Sequence, residues 1–380
     1  MRNLFLGTLL LVVFSQPSFS QNKIKITVRA VPGYTNAGDE LYIAGNFNGW
    51  NPKHEKFRLE KEKEGYEIKL NLENGLHEYK ITRGGWDKVE CRKGGFPVYN
   101  RTLNVEGDAE VIIEVEEWQD RFPPKPKVST ATKQVSILDT AFLIPQLNRK
   151  RRVWIYLPAD YYLTQKRYPV LYMHDGQNVF DELTAPYGEW GIDEFLDTAK
   201  KKCIVVAIDN GLDKRLSEYS PYDFSANLGP GAITGKGEGD KYIDFVTKSL
   251  KPFVDKKFRT KRDKGNTFIA GSSMGGLISM YAVLKYPNVY GGAGVFSPAF
   301  WVVPKIYDDI RKKGSKVNSR IYFFAGKRES TFMVPDMLKA FETMFKVSRS
   351  KMVTIIRDEG RHNEATWRAE FPHFYNWLVK

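Results

Sequence analysis

The 380-residue sequence predicts a mostly parallel α/β domain with helices on both faces, preceded by a small all-β sandwich. Residues 22–118 carry short strand patterns separated by turn signals such as Asn48-Gly49, which is typical of a sandwich of about 100 residues. From residue 133 onward, apolar runs such as 204–208 suit strands buried on both faces, and helical stretches separate them. We therefore expect a β domain over 21–118 and an α/β domain over 133–380, joined by a proline-rich linker over 119–132.

The composition excludes several classes of protein. Hydrophobic residues make up 42% and charged residues 27%, which excludes a disordered chain, a collagen-like chain and a polytopic membrane protein. Cys91 and Cys203 are too few for a disulfide framework or a cysteine-based zinc site. The net charge of +13 could indicate nucleic acid, but the basic residues are scattered. The densest run, Arg149-Lys150-Arg151-Arg152, is interpreted as a solvated strand end, so no nucleic-acid partner is expected.

The first twenty residues have the pattern of a signal peptide. Arg2 precedes an apolar run over 4–14, Pro17 then interrupts it, and 18–20 offers small residues for cleavage before Gln21. The run is shorter than the ~18 residues that span a bilayer, although an uncleaved anchor remains the alternative. No other segment is apolar enough to cross a membrane. The mature protein is therefore expected to be secreted, to the periplasm or outside the cell.

One motif predicts a nucleophile. Gly271-Ser272-Ser273-Met274-Gly275 follows an apolar strand pattern and opens a helical one, which is the context that G-x-S-x-G requires. Glycines at the flanking positions let a tight turn close and present the Ser273 hydroxyl at the sheet edge. The alternative is a purely structural glycine-serine turn.

The base and acid are sought by chain order, which for such a serine is serine, acid, histidine. His362 lies in the loop after the strand pattern 352–357, and we expect it to be the general base. Glu329 is the first carboxylate after the strand pattern 321–325 and should orient His362, with Asp336 as the fallback. A surface ion pair is the alternative interpretation of Glu329.

Backbone amides should stabilise an oxyanion. We expect one donor to be the N–H of Met274, directly after the nucleophile, and the second to be that of Gln177, with Gly176 as the neighbouring alternative. No phosphate-binding loop, dinucleotide motif or histidine pair with metal-ligand spacing is found, so no cofactor and no metal are expected.

Residues 133–380 resemble the esterase D-like α/β-hydrolases, the group that includes feruloyl and acetylxylan esterases of carbohydrate esterase family one and enterochelin esterases. The resemblance is carried by three runs: His174-Asp175-Gly176-Gln177-Asn178, Gly271-Ser272-Ser273-Met274-Gly275-Gly276, and Gly360-Arg361-His362-Asn363-Glu364 with Trp367. It implies an α/β-hydrolase fold and a triad of Ser273, Glu329 and His362.

The first domain resembles the immunoglobulin-like glycogen- and starch-binding modules. The cues are the run 41–52, which contains Gly45-Asn46-Phe47-Asn48-Gly49-Trp50, and the run 79–86, which ends in Gly84-Gly85-Trp86. The resemblance implies that Trp50 and Trp86 stack on sugar rings. Both could instead be core or interdomain residues.

The expected function is that of a secreted serine esterase that hydrolyses feruloyl or acetyl esters on a polysaccharide or oligosaccharide through an acyl-enzyme. Asp175, Trp190 and Trp301 are expected to contact substrate, with core packing as the alternative for the two tryptophans. A siderophore esterase, a non-catalytic carbohydrate-binding protein and an acyl transferase are the other hypotheses. The sequence leaves the acyl group, the sugar and the oligomeric state open.

Overall fold

The computed structural model describes residues 21–98, 100–123, 126–227 and 232–379. These residues divide into two compact units, one up to residue 123 and one from residue 126. The predicted signal peptide and two residues of the predicted linker, Pro124 and Lys125, lie outside the described residues. The boundaries of the predicted domains and linker stay predictions.

The first unit contains strands and short turns. Its strands are β1 (Gln21–Ala30), β2 (Tyr42–Gly45), β3 (Glu60–Glu62), β4 (Gly65–Glu73), β5 (Gly75–Thr82), β6 (Glu90–Arg92), β7 (Phe96–Pro97), β8 (Arg101–Val105), β9 (Ala109–Glu114) and β10 (Glu117–Trp118). They form sheets in the orders β3-β4-β1-β9, β2-β5-β8 and β10-β6-β7. Its assignment to the immunoglobulin-like class stays a prediction.

Period-two alternation in the sequence produces the core of this unit. In β4, Tyr66, Ile68, Leu70 and Leu72 are buried, while the residues between them face outward. These side chains join one hydrophobic cluster with Ile43 and Ile81 from the β2-β5-β8 sheet, and Trp118 is fully buried there.

The second unit alternates strands with helices. Its strands are β11 (Val135–Ile144), β12 (Arg149–Tyr156), β13 (Val170–Met173), β14 (Ile204–Ile208), β15 (Phe224–Asn227), β16 (Ala232–Gly235), β17 (Thr267–Ser272), β18 (Gly292–Phe296), β19 (Arg320–Gly326) and β20 (Lys351–Arg357). Its α-helices are α1 (Ile192–Thr198), α2 (Arg215–Tyr219), α3 (Gly239–Phe245), α4 (Lys251–Lys257), α5 (Met274–Lys285), α6 (Ile306–Lys313), α7 (Met333–Val347) and α8 (Glu364–Leu378).

Eight of these strands form one sheet in the order β11-β12-β14-β13-β17-β18-β19-β20. The pairs β11/β12 and β12/β14 are antiparallel, and the remaining pairs are parallel. Strand β17 is buried on both faces, which explains why its sequence is a continuous apolar run. Ile269 points into one hydrophobic cluster, and its neighbours Phe268 and Ala270 point into a second cluster. Helices cover both faces, because α5 packs in the first cluster, and α1 and α8 pack in the second.

A proline within a helix usually kinks or breaks it, but Pro372 does not break the last helix. The helix α8 runs from Glu364 to Leu378 with Pro372 inside it. Phe371, Phe374 and Leu378 are buried in the second cluster. This packing stabilises the helix and compensates for the backbone hydrogen bond that proline cannot make. None of the described helices has the length and apolar character that crossing a membrane requires.

Candidate active site

The predicted site residues follow the carboxyl ends of neighbouring strands. Ser273 comes directly after β17, Glu329 follows β19, and His362 follows β20. Asp175 and Ser297 follow β13 and β18 in the same way. Because the carboxyl ends of parallel strands meet at one edge of a sheet, residues far apart in the sequence are brought to that edge.

Ser273 occupies a strained turn between β17 and α5. Its φ is 59° and its ψ is −121°, a region that non-glycine residues rarely adopt. A Cβ at Gly276 would lie 2.7 Å from the carbonyl oxygen of Phe296, and one at Gly275 would lie 3.3 Å from Oδ2 of Asp175. Side chains at these positions would therefore push the turn away from its neighbours.

Three residues with strained backbone angles lie at this edge of the sheet. Asp175, Ser273 and Ser297 all have positive φ, at 55°, 59° and 42°. They follow β13, β17 and β18, which are adjacent strands. Each such residue costs on the order of 1–3 kcal/mol and persists only where its surroundings hold it, which is common at functional sites.

His362 and Glu329 are hydrogen-bonded. Nδ1 of His362 lies 2.8 Å from Oε2 of Glu329, whose side chain is fully buried. Because a carboxylate only accepts, Nδ1 carries the proton, and Nε2 is left as the basic nitrogen of the ring. The fallback acid Asp336 lies in α7 instead.

A buried network supports this pair. Oε1 of Glu329 accepts hydrogen bonds from Oγ of Ser297 at 2.7 Å and from the backbone N–H of Gly326 at 2.5 Å. Nε1 of Trp367 donates to the same Ser297 oxygen at 2.9 Å. The indole ring also meets the His362 ring edge-on, with their centroids 5.1 Å apart. Trp367 thus contacts the imidazole and, through Ser297, the carboxylate.

Ser273 and His362 line one cavity of about 440 Å³. Most of its lining residues are charged or amide-bearing, while apolar atoms make up the larger part of its exposed surface. The other lining residues are Asp175, Gln177, Asn178, Pro186, Tyr187, Asn210, Arg215, Ser272, Asn363, Glu364 and Trp367.

Asp175 forms a bidentate ion pair within this wall. Its Oδ1 lies 2.6 Å from Nε of Arg215, and its Oδ2 lies 2.9 Å from Nη2. Nδ2 of Asn210 donates to Oδ1 at 2.7 Å. Burial by itself would raise the pKa of Asp175, but the charge and hydrogen bonds of Arg215 outweigh it and hold that pKa below its usual value. Asp175 is therefore ionised and fixed.

Glu364 is a second buried carboxyl group in the wall. Its Oε1 accepts a hydrogen bond of 3.1 Å from Nδ2 of Asn178. Burial raises the pKa of Glu364, and the negative charge of Asp175 adds to the rise, while His362 and Asn178 oppose it. The group is the first residue of α8 and comes two positions after His362.

Met274 and Gln177, which are expected to supply the backbone donors for an oxyanion, follow the neighbouring strands β17 and β13. Met274 is the first residue of α5, so its N–H belongs to a helix end where amides lack intrahelical partners. Gln177 lines the cavity, and its Oε1 accepts from the N–H of Asn210 at 3.1 Å. Gly176 is packed so closely that a Cβ there would lie 2.7 Å from the backbone of Ile208.

Two of the expected substrate contacts need correction. Trp190 is only 3% exposed and stacks on Trp367, with ring centroids 5.8 Å apart, inside the hydrophobic core. Trp301 packs against Phe332 at 5.2 Å. Trp190 does not line the cavity because its ring is buried in the core, and the half-buried Trp301 is not among the lining residues either, whereas Asp175 is.

Trp50 and Trp86 lie next to each other in the first unit. Their ring centroids are 6.3 Å apart, and the rings are tilted by 40°. Trp86 is 44% exposed and Trp50 is half-buried, so neither belongs to the fully buried core of that unit.

Sequence reasoning missed Ser297, Arg215, Glu364 and Tyr187 as cavity or support residues. One feature of the sequence could have indicated Ser297: it directly follows an apolar strand pattern, as Ser273 does. Arg215 had none, because its partner Asp175 lies in a different loop. Within the described part of the chain, no group of three or more histidine, cysteine, aspartate or glutamate side chains is placed to hold a metal ion.

Comparison with known proteins assigns the second unit to a family. The family model named Esterase matches residues 144–378. The chain is 29% identical over 245 residues to the uncharacterized protein YbbA of Bacillus subtilis (strain 168), a match that covers 60% of this chain and 92% of that protein. It is 27% identical over 220 residues to an endo-1,4-beta-xylanase/feruloyl esterase of Xylanibacter ruminicola, covering 56% of this chain but 27% of that protein.

A solved structure shares the fold. The enterobactin esterase FES from Shigella flexneri, in the presence of enterobactin, aligns with a TM-score of 0.53 at 15% identity. The alignment covers 89% of this chain and 87% of that one. The α/β-hydrolase-like architecture expected from the sequence is shared with this structure. Since the family model spans more than half of the chain and includes Ser273, Glu329 and His362, the protein belongs to the Esterase family.

Proposed function

We propose that this chain is an exported serine esterase that hydrolyses carboxylic esters carried by polysaccharides or oligosaccharides. The observation that carries the proposal is the convergence of Ser273 and His362 on one cavity, with Glu329 hydrogen-bonded to the far side of the imidazole. A nucleophile, a base and an orienting acid are the three parts that acyl transfer needs.

The proposed reaction proceeds through an acyl-enzyme. Oγ of Ser273 attacks the ester carbonyl carbon while Nε2 of His362 accepts the hydroxyl proton. The C–O bond to the leaving alcohol then breaks, and His362 returns the proton to that oxygen. Water attacks the acyl-enzyme with His362 again as base, which releases the acid and restores Ser273. The buried carboxylate of Glu329 stabilises the imidazolium in both steps.

The N–H groups of Met274 and Gln177 would bind the oxyanion of both tetrahedral intermediates. The amide of Met274 is favoured by its place at the first residue of α5, where the helix dipole also stabilises negative charge. Each donor of this kind is worth about 3 kcal/mol of transition-state stabilisation.

Two observations support an ester of a hydroxylated or aromatic compound. The cavity wall carries charged and amide side chains, which hydrogen-bond polar substrates. A relative that shares this region of sequence is named an endo-1,4-beta-xylanase/feruloyl esterase, which favours a feruloyl ester on a plant polysaccharide. A siderophore ester is the competing substrate, because it also presents a polar scaffold next to the scissile bond.

Covalent labelling tests the nucleophile. A fluorophosphonate probe should modify Ser273 in the full chain, as located by peptide mass spectrometry, and Ser273→Ala should abolish both labelling and hydrolysis of 4-nitrophenyl acetate. His362→Ala should lower kcat by about 10³-fold or more, since general-base catalysis and nucleophile activation are lost together. Labelling at another residue, or an active Ser273→Ala variant, would contradict the proposal.

A substrate panel identifies the ester. Methyl ferulate, acetylated xylan and a triscatecholate trilactone should be offered to the wild-type chain at equal concentration. Hydrolysis of the first two supports the polysaccharide assignment. Preferential hydrolysis of the trilactone would replace it with the siderophore alternative.

We further propose that Trp50 and Trp86 of the first unit bind sugar rings. The support is their mutual approach and partial exposure, since an exposed indole face can stack on the apolar face of a sugar. Affinity electrophoresis of the full chain in gels containing soluble starch should show retardation that Trp86→Ala removes. Migration of the wild-type protein without retardation would contradict a sugar-binding role for the first unit.

Export also remains a proposal. It rests on the pattern of residues 1–20. Expression of the whole sequence in a bacterial host, followed by N-terminal sequencing of the periplasmic protein, should find Gln21 as the first residue. Recovery of protein that begins at Met1 would contradict it.

A further inference from the structure

Two side chains of opposite charge line the cavity without a part in the proposed triad. They are Arg215 at the start of α2 and Glu364 at the start of α8. Charged groups in a cavity wall that serve only structure are normally paired on every polar atom, because an unpaired buried polar group is costly.

Two of the three guanidinium nitrogens of Arg215 are hydrogen-bonded to Asp175. Its Nε and Nη2 are both used by Asp175, and its guanidinium lies over the ring of Tyr219 at 5.3 Å. Among the described residues, none is hydrogen-bonded to Nη1, and a quarter of the side chain is exposed. Arg215 is thus a fixed residue of the cavity wall that has one N–H group without a partner among the described residues, and its charge is balanced by Asp175.

Glu364 is held by two donors. Asn178 donates to Oε1, and the backbone N–H of Glu364 itself hydrogen-bonds to the carboxyl group, which has further lone pairs to offer a ligand. Asp175 and His362 act electrostatically on Glu364 with opposite sign. Glu364 thus offers an acceptor oxygen in the same cavity in which Arg215 offers a donor.

Tyr187 adds an aromatic surface to the cavity. It is 82% exposed although it lines the cavity, so its ring is free to contact a ligand. It lies in the loop before α1, next to Pro186, which also lines the cavity. A large exposed aromatic side chain at such a place is typical of ligand contacts.

We propose that Arg215, Glu364 and Tyr187 form a subsite for the hydroxyl-bearing ring of the alcohol half of the ester, that is, a sugar. Oε2 of Glu364 accepts a hydrogen bond from a ring hydroxyl, Nη1 of Arg215 donates to a second oxygen, and the ring of Tyr187 stacks on the C–H face. This proposal rests on the proposed esterase function and extends it by naming which half of the substrate each group contacts.

The chemistry discriminates against plain alkyl esters. A methyl or ethyl group cannot hydrogen-bond to Glu364 or Arg215. Sites that hydrogen-bond a substrate hydroxyl reject analogues that lack it much more strongly than apolar pockets reject a missing methylene. The subsite should therefore appear in the ratio of kcat/KM values for two esters that share an acyl group.

The test uses feruloyl arabinose and methyl ferulate, which differ only in the alcohol half. In the full-length chain, Glu364→Gln and Tyr187→Ala should each lower the ratio of kcat/KM for feruloyl arabinose to that for methyl ferulate by at least 10-fold. The matched control is Tyr162→Ala, since Tyr162 is equally exposed but does not line the cavity, and this variant should keep the wild-type ratio. Circular dichroism should show that all three variants are folded.

The outcomes separate this subsite from the esterase function. If the wild-type chain is active and Glu364→Gln and Tyr187→Ala keep the wild-type ratio, the subsite is wrong and the esterase function stands. A fall in kcat/KM that is equal for both esters would place these residues against the acyl half and would also overturn the subsite. A wild-type chain inactive on every ester contradicts the esterase function and, with it, the subsite.

Discussion

Oγ of Ser297 lies 2.7 Å from Oε1 of Glu329 and donates its proton to that oxygen. The same hydroxyl accepts from Nε1 of Trp367, and both side chains meet in a buried environment. Because Oε1 is occupied in this way, Oε2 is the oxygen that faces Nδ1 of His362. The orientation of the proposed catalytic base therefore depends on a serine that is not itself a member of the triad.

We expect Ser297→Ala to lower kcat for 4-nitrophenyl acetate by about 10-fold, with a smaller change in KM. The variant loses one hydrogen bond to a charged carboxylate, which is worth about 1.5–3 kcal/mol, while the bond from Gly326 remains. Steady-state kinetics checks the split between kcat and KM, and unchanged kcat would refute the role of Ser297.

Trp367→Phe supplies the matched comparison for this network. The phenylalanine keeps an aromatic ring beside His362 but cannot donate to Ser297. If the hydroxyl acts as a bridge, the effects of Ser297→Ala and Trp367→Phe on kcat should be less than additive in the double variant. Strict additivity would indicate that the two contacts act independently.

Gly276→Ala should disrupt the turn that carries Ser273. The new Cβ would lie 2.7 Å from the backbone oxygen of Phe296, which belongs to the adjacent strand β18 and cannot move freely. We expect a loss of about 1–3 kcal/mol in the free energy of unfolding together with a fall in kcat. Urea denaturation and ester kinetics measure the two effects.

Gly265→Ala is the control for that substitution. Its Cβ would lie 3.2 Å from the flexible side chain of Asp263 rather than from backbone. Activity and stability of this variant should stay close to those of the wild type. Equal damage from both substitutions would mean that the contact with Phe296 is not the cause.

The buried Asp193 should make stability depend on pH. Burial raises the pKa of Asp193 to about 7, against the opposing hydrogen bond from the N–H of Thr132, and the charge of Glu194 adds to the rise. Between the ordinary pKa of about 4 and 7, the folded state keeps a proton that the unfolded state has lost. This group therefore favours folding at low pH, and its contribution is lost as the pH rises through that window.

Comparison with Asp193→Asn isolates the effect of this carboxyl group. The free energy of unfolding of the wild type minus that of the variant should fall as the pH rises from 4 to 7 and should level off above 7. Urea denaturation at several pH values measures this difference. A difference that is constant over this range would show that Asp193 does not titrate there.

The ion pair of Asp175 and Arg215 should behave as a unit. Asp175→Asn leaves a guanidinium without its carboxylate in a mostly buried site, and a loss of about 3 kcal/mol in the free energy of unfolding is expected. The double variant Asp175→Asn/Arg215→Met removes the stranded charge and should recover part of that loss. A double variant that is no more stable than Asp175→Asn would contradict this coupling.

The sequence alone determined the strands of the large sheet and the turn at Ser273. The apolar run at 204–208 became strand β14 with those bounds, because a strand buried on both faces needs a continuous apolar run. The glycine positions around Ser273 follow from steric limits on neighbouring residues. Both are local effects, which a sequence pattern records directly.

Only the tertiary structure decided which side chains, beyond those predicted from the sequence, line the cavity with Ser273 or support the triad. Ser297, Arg215 and Glu364 make their hydrogen bonds with residues of loops that are distant in the sequence. Trp190 lies in the hydrophobic core instead of the expected substrate site. Such contacts depend on how the loops after successive strands pack against one another. No periodicity or spacing within a single segment contains that information, because the packing energy is shared between segments.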